Sequence, residues 1–142
     1  MNTNSITFSD NEQITDVVTA AYDLLAFAPG ELPQWSRFRE LFIETAVLAL
    51  RVFPADPAIS ILSFAEYMTA QLAHGLQQQG YSETPGERTI VVVNDVASVQ
   101  QEFTMNFAGR EPVNAIDIFA LVRTADQWRI ASVLSDMRGG CL

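Results

Sequence analysis

The sequence predicts one α+β domain, in which three helices in the first half pack on a largely antiparallel sheet formed by the second. Three observations carry this. Two capping boxes, Ser9-Asp10-Asn11-Glu12 and Ser63-Phe64-Ala65-Glu66, each open an apolar stripe at helical spacing. From Thr89 onward a β-branched run, Thr89 to Val93, and an alternating one, Val96 to Phe107, read as strands instead. The length of 142 residues suits a single domain, and no linker, repeat or low-complexity stretch beyond Gln77-Gln78-Gln79 divides it.

Helix one follows the first box: Ile14, Val17, Val18, Ala21, Leu25 and Ala28 share a face with Tyr22, and Pro29-Gly30 ends it. Trp35, Phe38 and Phe42 suggest a short second helix. The run from Thr45 to Phe53, rich in Val, Leu and Ala, reads as a buried strand that Pro54 stops. The second box opens a third helix, with Phe64, Tyr67, Met68, Leu72 and Leu76 in its stripe and Gly80 at its end. Thr89 to Val93 is β-branched, and Asn94-Asp95 suits a tight hairpin turn. In Val96 to Phe107 the residues Ala97, Val99, Phe103, Met105 and Phe107 face one side, with Gln101 a polar member of that face. Ala115 to Thr124 and Trp128 to Asp136 form two more strands. Residues 1–8 and 138–142 read as loose tails.

Composition excludes several chemistries. All eight cations are arginine, so Schiff-base and phosphate-loop lysine chemistry are ruled out. One histidine, His74, and one cysteine, Cys141, cannot build a usual zinc site or an internal disulfide; no metal and no cofactor is expected. Cys141 reads as a free thiol. A net charge of −9 disfavours nucleic acid. No apolar run is long enough to span a membrane, and the polar start Met1 to Ser5 is unlike a secretory signal. The expectation is a cytoplasmic protein without a membrane partner. A hydrophobic content of 49% leaves an apolar surplus to be placed.

Three segments resemble the nuclear transport factor 2-like superfamily, which includes ketosteroid isomerases, SnoaL-like cyclases and scytalone dehydratase. These are Trp35 to Phe42 running into Glu44-Thr45-Ala46-Val47, then Val92 to Val99, then Asp117 to Val122 with Trp128 to Asp136. The resemblance implies a cone: a strongly curved sheet wraps the long helices and leaves a pocket at its open end. It does not imply an activity.

By the same resemblance, Tyr22 and Asp117 occupy the places of an oxyanion-hole pair. Ketosteroid isomerase, one of the standard worked cases of pKa tuning, uses a tyrosine and a protonated aspartate there. Asp117, in a strand otherwise apolar, would have its pKa raised by desolvation if its face is the buried one. The alternative is that Tyr22 is a core aromatic and Asp117 pairs with an arginine. The isomerase's base position falls on Leu50, which cannot take a proton. Another base would have to come from Glu66, Glu83, Glu102 or His74, and spacing selects none. Glu83 falls near the cone's mouth, where it reads as a loop residue; His74 lies to the side of its helix's stripe. Gln101 either lines the pocket or bonds nearby backbone. Arg51 and Arg129 are candidate salt-bridge partners.

Three functions follow. The first is a mostly apolar pocket, lined by Tyr22, Leu50, Phe64, Met68, Gln101, Phe103, Asp117 and Phe119, that binds a small hydrophobic molecule. The second is an isomerase, cyclase or dehydratase acting on a hydrophobic carbonyl compound. The third is a non-catalytic interaction module. A homodimer through the outer sheet face, with Ile116, Ile118, Ala120 and Val122, is compatible with the first two.

Overall fold

A computed structural model of the chain describes residues 9–138. Residues 1–8 and 139–142 of the two expected loose tails, with the expected free thiol Cys141, lie outside the described residues; Arg138 is no loose end, since its N–H donates to Asn114 O at 2.9 Å. Helix α1 (Asp10–Leu25) starts at the expected box: the Ser9 hydroxyl accepts from Glu12 N–H at 3.1 Å, and the Glu12 carboxylate accepts from Ser9 N–H at 3.1 Å. Its stripe buries Ile14, Val18, Ala21, Tyr22, Leu24 and Leu25. The helix stops before Ala28 because Phe27 pairs its backbone with Tyr81, through two 3.0 Å hydrogen bonds. Helix α2 (Trp35–Glu40) is one short turn and a half, and Phe42 already belongs to the next strand.

Strand β1 (Phe42–Leu50) thus begins three residues earlier than the apolar run suggested and ends before Val52. Strand β2 (Ser60–Ser63) has no counterpart in the sequence reading; four residues are too few to show alternation. The expected third helix is divided. Helix α3 (Phe64–Gln71) begins at the second capping box, a 3-10 turn spans Ala73–Gly75, and helix α4 (Leu76–Gln79) completes the run. The break falls where His74 and Gly75 both adopt left-handed backbone, with φ of 60° and 74°, which no continuous helix accommodates.

The four remaining strands are β3 (Tyr81–Val93), β4 (Val96–Phe107), β5 (Val113–Thr124) and β6 (Gln127–Met137). They form the expected antiparallel meander, and the sheet order is β2-β1-β6-β5-β4-β3 with β1 parallel to β6. Strand β3 starts eight residues before Thr89. Its edge position tolerates Pro85, since no partner needs an N–H on that side.

Register irregularities at Pro85/Arg88, Ala120/Leu121 and Phe42/Val47 bend the sheet around α1. The concave face carries Ala97, Val99, Phe103, Met105 and Phe107 of β4 and Ala115, Asp117, Phe119 and Leu121 of β5, all buried. Helix α1 lies against this face and packs on β3 and β6. No helix among the described residues is long and apolar enough to cross a membrane.

Candidate functional site

Between α1, α3 and the concave face lies a cavity of about 50 Å³. That is room for a few waters or for the polar head of a small ligand. Apolar side chains dominate its wall, among them Leu25, Phe38, Leu48, Leu50, Phe103 and Phe119. The lining residues Leu50, Arg51, Glu83, Ser135 and Met137 are half-buried, and they mark where the cavity meets solvent.

Two carboxyl groups stand in this apolar wall. Asp117 is held by the inward parity of β5, one step from Ala115 and Phe119, and it is 8% exposed. Tyr22 reaches it from α1 across the cone: its hydroxyl donates to Asp117 Oδ2 at 2.6 Å. Burial pushes the Asp117 carboxyl up to about 6, while hydrogen bonds from Tyr22 and its register partner Ser135 pull it back. Burial, reinforced by the charge and the hydrogen bond of Asp117, holds the Tyr22 hydroxyl protonated far above its ordinary range.

Glu83 is the second carboxyl. It lies on β3 opposite Met105, with Tyr81 two residues earlier on the same face and opposite Phe107. The Tyr81 hydroxyl donates to Glu83 Oε2 at 2.5 Å. Burial first, and the Asp117 charge second, push the Glu83 carboxyl up to about 8, against the Tyr81 hydrogen bond that lowers it. The expectation of a solvated loop residue is therefore corrected: β3 extends to Tyr81 and turns Glu83 into the cavity.

The other base candidates have different partners. Glu66 accepts from Ser63 N–H at 2.8 Å as a helix cap. Glu102 pairs with Arg138 at 2.6 Å. His74 is exposed, with its ring 5.1 Å from that of Phe53. Leu50, at the place the resemblance gives to a base, lines the cavity with an aliphatic side chain.

Tyr22, Asp117, Leu50, Phe103 and Phe119 come together around the cavity; Phe64, Met68 and Gln101 do not. Phe64 is buried in an aromatic cluster, 5.6 Å from Phe38 and 5.1 Å from Phe42 by ring centroids. Met68, on the outer side of α3, borders a shallow hollow beside Trp35 and Arg39.

Gln101 is fully buried but faces the bend of β3. Its carbonyl accepts from Arg88 Nε at 2.5 Å, and its Nε2 lies within 3.1 Å of the carbonyls of Gly86, Glu87 and Glu102. Of the two readings left open for it, bonding to nearby backbone is the one its geometry shows. Arg51 pairs with Asp136 at 2.7 Å beside the mouth, and Arg129 bonds Gln127. The ion pairs among the described residues leave out Asp117, which has a tyrosine and not an arginine as its partner.

Sequence reasoning passed over Gln71 and gave Tyr67 no role beyond its helix stripe. Both line the cavity, from one face of α3. The signal for Tyr67 was the apolar stripe; Gln71, one turn further along the helix, carried none of its own.

No protein-family model matches the chain, and no curated protein matches it either. Solved structures do. An NTF2-like protein with a cystatin-like fold from Novosphingobium aromaticivorans superposes with a TM-score of 0.71 at 17% identity, covering 92% of this chain and 83% of that one. A proposed dehydratase of the NTF2-like family from Streptomyces avermitilis gives 0.67 at 16% identity, over 92% of this chain and 97% of its own. A proposed ketosteroid isomerase from Parabacteroides distasonis gives 0.65 at 12% identity, over 100% and 98%. Such identities establish architecture and leave activity to the site. The chain has the nuclear transport factor 2-like, cystatin-like fold, a curved six-stranded sheet closed over its helices.

Proposed function

We propose that the cavity takes the carbonyl end of a small, mostly apolar compound that enters through its mouth and moves a proton on it, with Asp117 as base and Glu83 as acid. The observation that carries this reading is the placement of two carboxyls, each hydrogen-bonded by its own tyrosine, in one apolar cavity. Paired titratable groups whose environments push them apart take opposite roles in acid–base chemistry. At neutral pH Asp117, near 6, is largely ionised and accepts a proton, whereas Glu83, near 8, is largely protonated and donates one. This differs from the oxyanion-hole pair that resemblance suggested, because the Tyr22 hydroxyl already directs its proton at Asp117.

The step balances without a cofactor. Asp117 removes a proton from the carbon beside the carbonyl, the electron pair moves to form an enol double bond, and Glu83 protonates the carbonyl oxygen. Reversal from the opposite face or at a conjugated carbon gives isomerisation. The names of two structural neighbours, a proposed dehydratase and a proposed ketosteroid isomerase, are in keeping with such chemistry.

The test is hydrogen–deuterium exchange at the α-carbons of cyclopentanone in D2O, followed by NMR. Exchange is expected to be fastest between about pH 6 and about pH 8, falling below as Asp117 protonates and above as Glu83 ionises. Asp117→Asn is expected to slow it by about 10²–10⁴-fold. Exchange at the buffer rate with the wild-type protein would end the catalytic reading and leave a binding pocket.

A homodimer through the convex face is the second part of the proposal. Ile61, Ala49, Leu134 and Ile118 stand in register across β2, β1, β6 and β5, and Ile61, Leu134 and Ile118 are 75%, 49% and 39% exposed. A continuous apolar row of this kind favours burial against a second copy. Light scattering is expected to give about twice the 15.7 kDa chain mass; a chain-mass particle at high concentration would refute it.

A further inference from the structure

The cavity holds two polar groups that the proton-transfer scheme does not use. Tyr67 and Gln71 lie one helical turn apart on α3, and they are 4% and 3% exposed. Neither the Tyr67 hydroxyl nor the Gln71 amide makes a hydrogen bond to any described residue, unlike Tyr22 and Tyr81, which each have a carboxylate. Among the described residues, no side-chain nitrogen or oxygen is sealed away unpaired. Both polar ends therefore keep some accessible surface, and both residues line the cavity. Unpaired polar groups at this depth carry a desolvation cost that a partner molecule would remove.

We infer that Tyr67 and Gln71 form a recognition subsite for the neutral carbonyl oxygen of the ligand, which accepts from the Tyr67 hydroxyl and the Gln71 Nε2. The inference rests on the reading of the cavity as a small-molecule site and specifies what that molecule must present. The donors decide the ligand class. An ammonium ion brings donors alone and would leave the Tyr67 proton and the Gln71 amide hydrogens unpaired. A carboxylate would meet the charge of Asp117 in an apolar enclosure. A ketone, ester or amide oxygen accepts two hydrogen bonds and carries no charge, so it satisfies both donors at no Coulombic cost. Tyr67 stays a donor throughout the neutral range, because burial and then the Glu83 and Asp117 charges hold its hydroxyl protonated. The carbonyl oxygen has two lone pairs, so in the proton-transfer step one of these hydrogen bonds gives way to the Glu83 proton.

The experiment titrates the protein with cyclopentanone, cyclopentylamine and cyclopentane in turn, read by NMR shifts of the cavity methyl groups. It is repeated on Tyr67→Phe and Gln71→Leu, with thermal melts of every variant. The expected result is that cyclopentanone binds more tightly than the other two. Each substitution should weaken it by about tenfold, with no effect on cyclopentane. Gln71→Leu should also keep or raise the melting temperature, since it removes an unpaired buried amide without breaking an internal bond. Binding of cyclopentanone and cyclopentane with equal affinity, unchanged in both variants, would overturn the subsite and leave the apolar cavity reading standing. Preference for cyclopentylamine would overturn it likewise. Failure of all three probes to bind the wild type would overturn the subsite and the cavity reading together.

Discussion

Glu83→Gln is expected to stabilise the protein above pH 8 and to leave it nearly unchanged at pH 5. The sign follows from proton binding in the two states. Unfolded, Glu83 ionises at its ordinary value of 4.5; folded, burial and the neighbouring Asp117 charge hold it protonated up to about 8. Between those values the folded state binds more protons, so stability falls as pH rises, and above about 8 the loss is complete. At about 1.4 kcal/mol for each pH unit between the two values, the loss amounts to roughly 3–5 kcal/mol. Glutamine is isosteric, still accepts from Tyr81 and never ionises. Chemical denaturation at pH 5 and pH 9 should therefore show the wild type losing stability and the variant holding it, apart from a smaller contribution of the same sign from Asp117, whose folded value is about 6. Equal slopes with pH in the two proteins would contradict the burial of this carboxyl.

Gln101→Leu is expected to cost roughly 3 kcal/mol, lowering the melting temperature by about 10 °C. The side chain has 0% exposure, and its single amide serves four partners. Leucine fills the space but leaves the carbonyls of Gly86, Glu87 and Glu102 without that donor and Arg88 Nε without its acceptor. Two of those carbonyls belong to the irregularity of β3 between Pro85 and Arg88, so the bend itself is what the amide fixes. Gln78→Leu, at an exposed position on α4 away from both the cavity and the convex row, is the control and should stay within about 0.5 kcal/mol. A similar melting temperature for Gln101→Leu and the control would show that the bend holds without the amide.

How much of this was legible in the sequence depends on the range of the interaction that decides each feature. Local signals were readable: both capping boxes and the parity of β4 follow from spacing over a few residues, whereas the face of Asp117 stayed open because its strand is apolar on both sides. The early strand of Tyr81 to Gly86 was not, because Pro85 and Gly86 read as a turn unless the strand lies at an edge. Whether it does is set by the pairing order of the whole sheet. Glu83 was hidden with it: its inward parity has meaning only once β3 is paired with β4. The division of the third helix at His74 is likewise not a propensity effect, since the apolar stripe continues through Leu72 to Leu76. Gln71 was invisible for another reason. A glutamine beside an apolar stripe looks the same whether it faces solvent or a cavity, and only the fold decides between them. The apolar surplus of the composition is placed in the concave core, in the cavity wall and in the exposed row from Ile61 to Ile118.

The central claim is that two carboxyls share one apolar cavity and titrate apart. Its most direct test is a carbon-13 NMR titration of the side-chain carboxyls of Asp117 and Glu83 from pH 3 to pH 10. Inflections are expected near 6 for Asp117 and near 8 for Glu83, with the Glu83 inflection falling only partway in Asp117→Asn because burial is its larger cause. Inflections for both residues in the ordinary carboxylate range of about 4 would contradict it.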